Sequence, residues 1–381
     1  MRFVNFLIKP VSCTCNLRCR YCFYADEASN RSNACMGRMT EHQANKLIDR
    51  AYEALEPGGT VSFAFQGGEP TVAGLDFFRR FVAYAKAQKP QKAHIQFSVQ
   101  TNGTLLDADW AAFLKQEHFL VGISLDGCRD IHNINRVDAQ GNGTWGRCTE
   151  ALELLKQAEV DVNALCVVTG NCARHAKKAY EALKRLGFSY QQYIACLDPI
   201  GEERGKRPWS LTPEAYGQFL CRLFDLWYQD WFRGNYHSIR LFDDYIHILL
   251  GDGYSTCATC GRCGSYFVAE ADGSLYPCDF YVLDQWRLGD LDSGPLEQLR
   301  QGAVYTKFLS QGLSLPEACL SCPWKELCHG GCKNDWILIN GKPENYFCPS
   351  FRALFDYAFP KMRRIAQAEL RARERAVSGI L

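Results

Sequence analysis

Twenty cysteines stand in this chain of 381 residues, and more than half are bunched in two regions. The first bunch is CTCNLRCRYCFY, residues 13–24, directly after the apolar run FVNFLI. The second runs from Cys257 to Cys348. Any fold of this chain must satisfy those thiols. The start MRFVNFLIKP has too short an apolar run for a secretory signal, and no small-residue cleavage site follows it. No stretch has the length of apolar residues that spans a bilayer. The expected location is therefore the cytoplasm, where a reducing environment rules out a disulfide scaffold. Cys148, Cys166, Cys196 and Cys221 sit in apolar surroundings and read as small buried hydrophobes. The clustered remainder has the short spacing of metal or iron–sulfur ligation.

Charge narrows the partners. With 43 basic and 42 acidic residues the chain is close to neutral, which argues against nucleic acid or an anionic membrane as partner. The RARER run near the end reads as the solvated face of a last helix.

From the start to about residue 200, strand-like runs alternate with helical patterns. The strands are expected at 3–9, 60–65, 94–99, 119–125, 160–168 and 189–196, rich in Val, Ile, Phe and Tyr. A helix is expected from Thr40, whose partner Gln43 three residues on completes a capping box, and others near 74–88, 107–117, 145–158 and 173–186. Such alternation implies a parallel sheet with right-handed crossovers, and six units fall short of a closed barrel. The fold class is thus α/β, a partial (β/α)6 TIM-like barrel over residues 1–235. A smaller, metal-stapled domain over 236–350 and a C-terminal helix over 351–381, starting near Pro360, complete the chain. In barrels of this kind chemistry sits on the loops after the strands. Here those loops read CNLRCRYC, QGGEPT, QTNGT, DG, TGN and LDP. Any one would pass for a turn; together they mark one rim.

Cys15, Cys19 and Cys22 form C-x3-C-x2-C. A [4Fe–4S] cluster normally takes four thiolates, so three leave one iron open, as a reactive centre requires. A zinc site is the bland alternative, but no fourth ligand is near unless Cys13 serves. Cys257, Cys263, Cys278, Cys319, Cys322, Cys328, Cys332 and Cys348 are eight thiols, enough for two fully ligated clusters or two zinc sites. Cys13 and Cys260 are extra thiols beside these sets.

The triad with Tyr21 before its last cysteine, followed by GGEP after the second strand, resembles the radical S-adenosylmethionine (SAM) superfamily. The later cysteines resemble its SPASM auxiliary-cluster domain. That pattern implies Cys257, Cys263, Cys278 and Cys332 on one cluster, and Cys319, Cys322, Cys328 and Cys348 on the other. Together CNLRCRYCFY, FAFQGGEPTVAGLDFF, QTNGTL, FLVGISLDG, IHNINR, LCVVT, CLDP, DGSLYPCDFYVLD and RLGDL resemble the anaerobic sulfatase-maturating enzymes over nearly the whole chain. The resemblance implies three [4Fe–4S] clusters and SAM, which is cleaved to methionine and a 5′-deoxyadenosyl radical. It implies that a sulfatase cysteine or serine is oxidised to Cα-formylglycine. It also implies Asp279 as the base for the thiol or hydroxyl proton, and SAM contacts from Tyr21, Gly68, Ser124, Arg136 and Leu197. In physical terms, Gly68 lets backbone approach the methionyl group, Arg136 pairs with its carboxylate, Ser124 hydrogen-bonds ribose or carboxylate, and Leu197 walls the adenine. Tyr24 and Gln66 are weaker candidates for touching the substrate peptide. The partners implied are an unfolded sulfatase segment bearing C-x-P-x-R or S-x-P-x-R and an electron donor such as ferredoxin or flavodoxin. Two other readings compete: a radical maturase of another ribosomal peptide, forming a crosslink or an epimer, and a non-catalytic metal-binding scaffold.

Overall fold

The computed structural model describes residues 1–378. In chain order the first strands are β1 (Phe3–Ile8), β2 (Thr60–Phe65), β3 (His94–Thr101), β4 (Leu120–Ser124), β5 (Asp161–Val168) and β6 (Tyr190–Ala195). Helices α1 (Phe23–Ser29), α2 (Glu41–Glu53), α3 (Leu75–Ala87), α4 (Ala108–Gln116), α5 (Arg129–Asn135) and α6 (Trp145–Gln157) fall between the first five. All six expected strands are found, within two or three residues of their expected ends. The capping box is present: Gln43 N–H donates to Thr40 Oγ1 at 3.2 Å, and Thr40 N–H to Gln43 Oε1 at 2.8 Å. The helix expected near 173–186 is two pieces, α7 (Gly170–Arg174) and α8 (Ala176–Arg185), divided at His175. The Thr169 hydroxyl caps α7, accepting from Cys172 N–H. Turn-like sequence hid α1 and α5, both of seven residues.

The chain divides into two compact units. The first holds Met1–Leu165, Leu197–Glu203 and Gly264–Ser310; the second holds Cys166–Cys196, Arg204–Cys263 and the chain from Gln311 on. In the first unit β1 to β5 run parallel in chain order. Val4, Phe6 and Ile8 of β1 and Val61, Phe63 and Phe65 of β2 are buried at alternate positions, the period a strand imposes. Phe63, Phe65, Phe78, Phe81 and Phe119 fill the layer between sheet and helices with edge-on and stacked ring contacts.

The strands around residues 267–290 join this sheet. With β7 (Ser238–Ile239) preceding them in the chain, they are β8 (Phe267–Ala269), β9 (Ser274–Tyr276) and β10 (Gly289–Asp290). β8 pairs parallel to β1, and β9 and β10 continue antiparallel. They cover the free backbone groups of the β1 edge, which an exposed strand would leave unpaired. This places Cys278 and Asp279 in the same unit as the cysteine triad.

The second unit contains β6 paired with β7, α9 (Pro213–Phe232) and α10 (Arg240–Leu250), and a helix of 31 residues, Cys348–Ser378. That helix corrects the expected start: Pro360 lies inside it. An interior proline costs about 3 kcal/mol. Here the buried stripe Leu354, Phe355, Ala358, Met362 and Ile365 runs through it at helical spacing, and that burial offsets the cost. Cys221 is half-buried, unlike Cys148, Cys166 and Cys196. No helix among the described residues is long and apolar enough to cross a membrane.

Candidate active site

The loop after β1 carries the triad. Arg18 N–H donates to Val137 O at 2.7 Å and Arg20 N–H to Asn135 O at 2.9 Å, so residues 17–21 run extended beside 135–138. Leu17 and Tyr21 then point inward with Cys19 between them, while Arg18 and Arg20 face solvent. Burial, with a smaller contribution from charge on Cys22, pushes the Cys15 thiol up to about 11 and the Cys19 thiol up to about 12. The three sulfurs therefore share one electrostatic neighbourhood. Burial keeps the Cys15 and Cys19 thiols protonated without a metal, and ligation would draw off those protons. Three soft donors on one short loop suit an iron–sulfur cluster by chemistry. Among the described residues no group of three or more His, Cys, Asp or Glu is arranged to hold a metal ion. The case for these ligands therefore rests on spacing and on this shared neighbourhood.

Gly68 is where the second loop meets the first. A Cβ on it would lie 2.1 Å from the Thr14 carbonyl oxygen. Its N–H donates to Ser12 O, and the next N–H, of Glu69, donates to Thr14 O, both at 2.8 Å. The glycine thus serves backbone contact with the cysteine loop. Glu69 is fully enclosed. Its Oε1 accepts from Thr71 N–H and from the Thr71 and Thr101 hydroxyls, and its Oε2 accepts from Asn102 N–H at 2.8 Å. Burial raises its pKa even so. This carboxylate ties the loop after β2 to the loop after β3, where Asn102 Nδ2 reaches Asn16 Oδ1 at 2.9 Å.

Arg136 does not wait open for a ligand carboxylate. Its Nε and Nη2 donate to Asp126 Oδ2 and Oδ1 at 3.0 and 3.1 Å, and its guanidinium lies over the Tyr21 ring. The Tyr21 hydroxyl donates to the same carboxylate. Asp126 N–H in turn donates to His132 Nδ1, and burial lowers that imidazole to about 3, so it stays neutral. Asp126, in the DG loop on the rim and two residues after Ser124, is not among the contacts that the resemblance implies. Ser124 ends β4 half-buried, and Leu197 is half-buried in a segment fastened to α1 by Ile200 N–H on Asp26 Oδ2 at 2.8 Å.

A buried charged cluster surrounds Asp279. The Lys9 ammonium, with no exposed surface, donates to Asp279 Oδ1 at 2.6 Å and sits 3.7 Å above the Tyr24 ring. The Tyr24 hydroxyl donates to Glu270, which also accepts from Arg31 Nη1 at 2.7 Å. That commits the Tyr24 proton within the protein. Gln66 differs: its Oε1 is buried with no hydrogen-bond partner among the described residues. Glu27 Oε1 accepts from Val282 N–H at 2.7 Å, its Oε2 has no hydrogen-bond partner among the described residues, and burial pushes its carboxyl up to about 8. Lys9, Glu27, Arg31 and Glu270 were missed by sequence reading. Lys9 had one signal, a lysine closing an otherwise apolar strand at the active rim.

In the second unit burial raises the thiols of Cys319, Cys328 and Cys348, Cys328 up to about 12, and charge on Cys322 adds to the rise of all three. Cys257 and Cys260 do the same to Cys263, so Cys260 lies among the ligand candidates. Cys332 lines a hollow with Cys328, Thr259, Tyr245 and Phe347. Cys278 lies in the first unit, its sulfur 3.6 Å from the Tyr266 hydroxyl. Cys13 stands beside Cys35.

Residues 10–189 match the radical SAM superfamily, and residues 254–323 match the iron–sulfur cluster-binding SPASM domain. A cysteine-type anaerobic sulfatase-maturating enzyme of Clostridium perfringens is 43% identical over 365 residues, 95% of this chain and 98% of that protein. A serine-type enzyme of Klebsiella aerogenes is 31% identical, over 94% of this chain and 86% of its own. The solved structure of native anSMEcpe with bound AdoMet and the Kp18Cys peptide superposes with a TM-score of 0.91 at 42% identity, covering 96% of this chain and 99% of that one. Streptococcus suis SuiB shares the fold at 16% identity and a TM-score of 0.61.

Proposed function

This chain belongs to the anaerobic sulfatase-maturating enzymes of the radical SAM superfamily, and we propose that it is of the cysteine type, acting on a C-x-P-x-R segment. The enzymes of this family convert a cysteine or serine of a sulfatase to formylglycine, and this chain is such an enzyme. Greater identity to cysteine-type than to serine-type relatives, 43% against 31%, supports the cysteine target.

The reaction removes three things from a cysteine side chain: a hydrogen atom from Cβ, the thiol proton and one electron. The resulting thioaldehyde exchanges sulfur for water to give the aldehyde and hydrogen sulfide. Bound at the triad Cys15, Cys19 and Cys22, an open-sided cluster with SAM supplies the hydrogen-abstracting radical. The chain's own groups do the rest. Asp279 takes the thiol proton. Lys9 holds Asp279 Oδ1 at 2.6 Å and leaves Oδ2 to receive it, and this contact is the observation that carries the reading. Lys9 in turn is fixed by packing: a Cβ at Gly67 would come within 2.8 Å of its Cγ. Gln66 Oε1 is an acceptor for a substrate amide. Asp126 orients Arg136 and Tyr21, which with Gly68, Ser124 and Leu197 form the SAM pocket. The auxiliary sets, Cys257, Cys263, Cys278 and Cys332, and Cys319, Cys322, Cys328 and Cys348, would hold two further [4Fe–4S] clusters, groups whose chemistry is to accept and pass on single electrons. The donor of the initiating electron is a ferredoxin or flavodoxin, and the site of action is the cytoplasm.

The test is anaerobic. Reconstituted protein, SAM, a chemical reductant and a C-x-P-x-R peptide are combined, and mass spectrometry looks for the aldehyde. Asp279→Asn is expected to keep SAM cleavage and lose most of the aldehyde. An Asn variant with full aldehyde yield removes Asp279 from the mechanism; wild-type protein that cleaves SAM without making aldehyde removes the function.

A further inference from the structure

Two thiols outside the cluster-ligand sets meet in the first unit. Cys13 precedes the triad on the loop after β1, and Cys35 lies on the stretch between α1 and α2. Hydrogen bonds lace the two stretches together: Met36 N–H donates to Ser12 Oγ at 3.0 Å, and Met39 N–H to Pro10 O at 2.8 Å. On either side of Cys13, the Ser12 and Thr14 carbonyls accept from Gly68 and Glu69 N–H, so the loop is held from behind as well. Within this frame the Cys13 and Cys35 side chains hydrogen-bond to each other. The Cys35 sulfur also accepts from Gly37 N–H, from Cys13 N–H and, at 3.7 Å, from the Thr14 hydroxyl. Gly37 reaches it from a left-handed backbone, with φ of +80°. Partial burial raises the Cys35 thiol, but these donors outweigh it and hold the pKa below the usual cysteine value. Cys35 is exposed, and Cys13 behind it is half-buried. An accessible, readily ionised thiol in contact with a second thiol is the arrangement of a disulfide-forming pair.

We propose that Cys35 and Cys13 form a reversible thiol–disulfide site that takes a low-molecular-weight disulfide as its oxidant. The Cys35 thiolate attacks one sulfur of the oxidant, which breaks that S–S bond and releases one small thiol. The Cys13 sulfur then gives up its proton and attacks Cys35, which forms the Cys13–Cys35 bond and releases the second small thiol. The two protein thiols lose two electrons and two protons, and the small disulfide gains them. A small dithiol runs the exchange backwards. The bridge joins two segments already tied at Ser12–Met36 and Pro10–Met39, so closing it asks little movement of the loop that carries Cys15. In a reducing compartment such a bridge is transient and redox-sensing, not structural, which is consistent with a chain that has no disulfide scaffold. Neither thiol has a part in the reaction derived above, so the pair is a site of its own.

The experiment treats the anaerobic, cluster-loaded protein with glutathione disulfide, quenches it in acid, alkylates the remaining thiols and maps them by mass spectrometry after trypsin. The expected product is the Ser32–Arg38 peptide joined through Cys35 to the peptide carrying Cys13, and dithiothreitol undoes it. Cys13→Ser is expected to stop at a glutathione adduct on Cys35. Cys35→Ser is expected to slow modification of Cys13 at least about tenfold, while cleaving SAM with dithionite within about twofold of wild type. Cys35 still fully alkylated after the treatment overturns the proposal, as does Cys13 bridged to Cys15 in place of Cys35. Glutathione left unresolved on Cys35 in the wild type overturns the role of Cys13. A Cys35→Ser protein that loses SAM cleavage overturns it too, because Cys35 then supports the cluster loop instead. None of these readings depends on aldehyde formation, so the function proposed above stands or falls separately.

Discussion

Glu27→Gln should stabilise this protein in a pH-dependent way. Glu27 is 1% exposed, its Oε2 has no hydrogen-bond partner among the described residues, and its carboxyl is pushed from 4.5 to about 8, first by burial and also by Asp279, against the attraction of Lys9. An acid raised in the folded state binds a proton that the unfolded chain has released. Stability is therefore unaffected below about 4.5, falls as pH rises towards 8, and is lowest above that. The full span corresponds to about 5 kcal/mol, of which about half falls between pH 6 and 8.5. For a chain of this length that half is about 3 °C of melting temperature. Glutamine keeps the acceptor for Val282 N–H but cannot ionise; its buried amide adds a penalty of about 1–3 kcal/mol that does not vary with pH. Calorimetric melting under anaerobic conditions at pH 6, 7 and 8.5 reads the difference between variant and wild type. That difference should move by about 3 °C in favour of glutamine as pH rises. Parallel curves would refute the reasoning, since they would mean that Glu27 is already ionised at pH 6.

Asp126→Asn unpairs the Arg136 fork and the Tyr21 hydroxyl, so SAM affinity should fall at least about tenfold, equivalent to about 1.4 kcal/mol, read by titration calorimetry on holoprotein. Gly68→Ala has no room for its methyl group against the Thr14 carbonyl. Iron content should fall from about twelve to about eight per chain, with SAM cleavage lost.

What could be read from the sequence was whatever depends on near neighbours. Runs rich in Val, Ile, Phe and Tyr placed the strands, the Thr40–Gln43 pair placed a helix start, and C-x3-C-x2-C puts three donors on one short loop whatever the rest of the chain does. The family resemblance rested on such local strings, and the comparisons bear it out across 95% of the chain. Pro360 misled because a local rule was outweighed by a buried stripe that only packing completes.

The electrostatics of the site came from tertiary structure alone. Lys9 and Asp279 are 270 residues apart, and Tyr24 and Glu270 are 246 apart. They meet because β8 returns to pair with β1 and carries Glu270 and the Cys278–Asp279 turn to the end of the first strand. No local pattern marks a lysine as the partner of a carboxylate that far away. A charge is tolerated in such a place only when folding brings its counterion, so its meaning is fixed by the fold. Spacing within the sequence set which atoms could bind metal; the return of β8 set which carboxylate would face them.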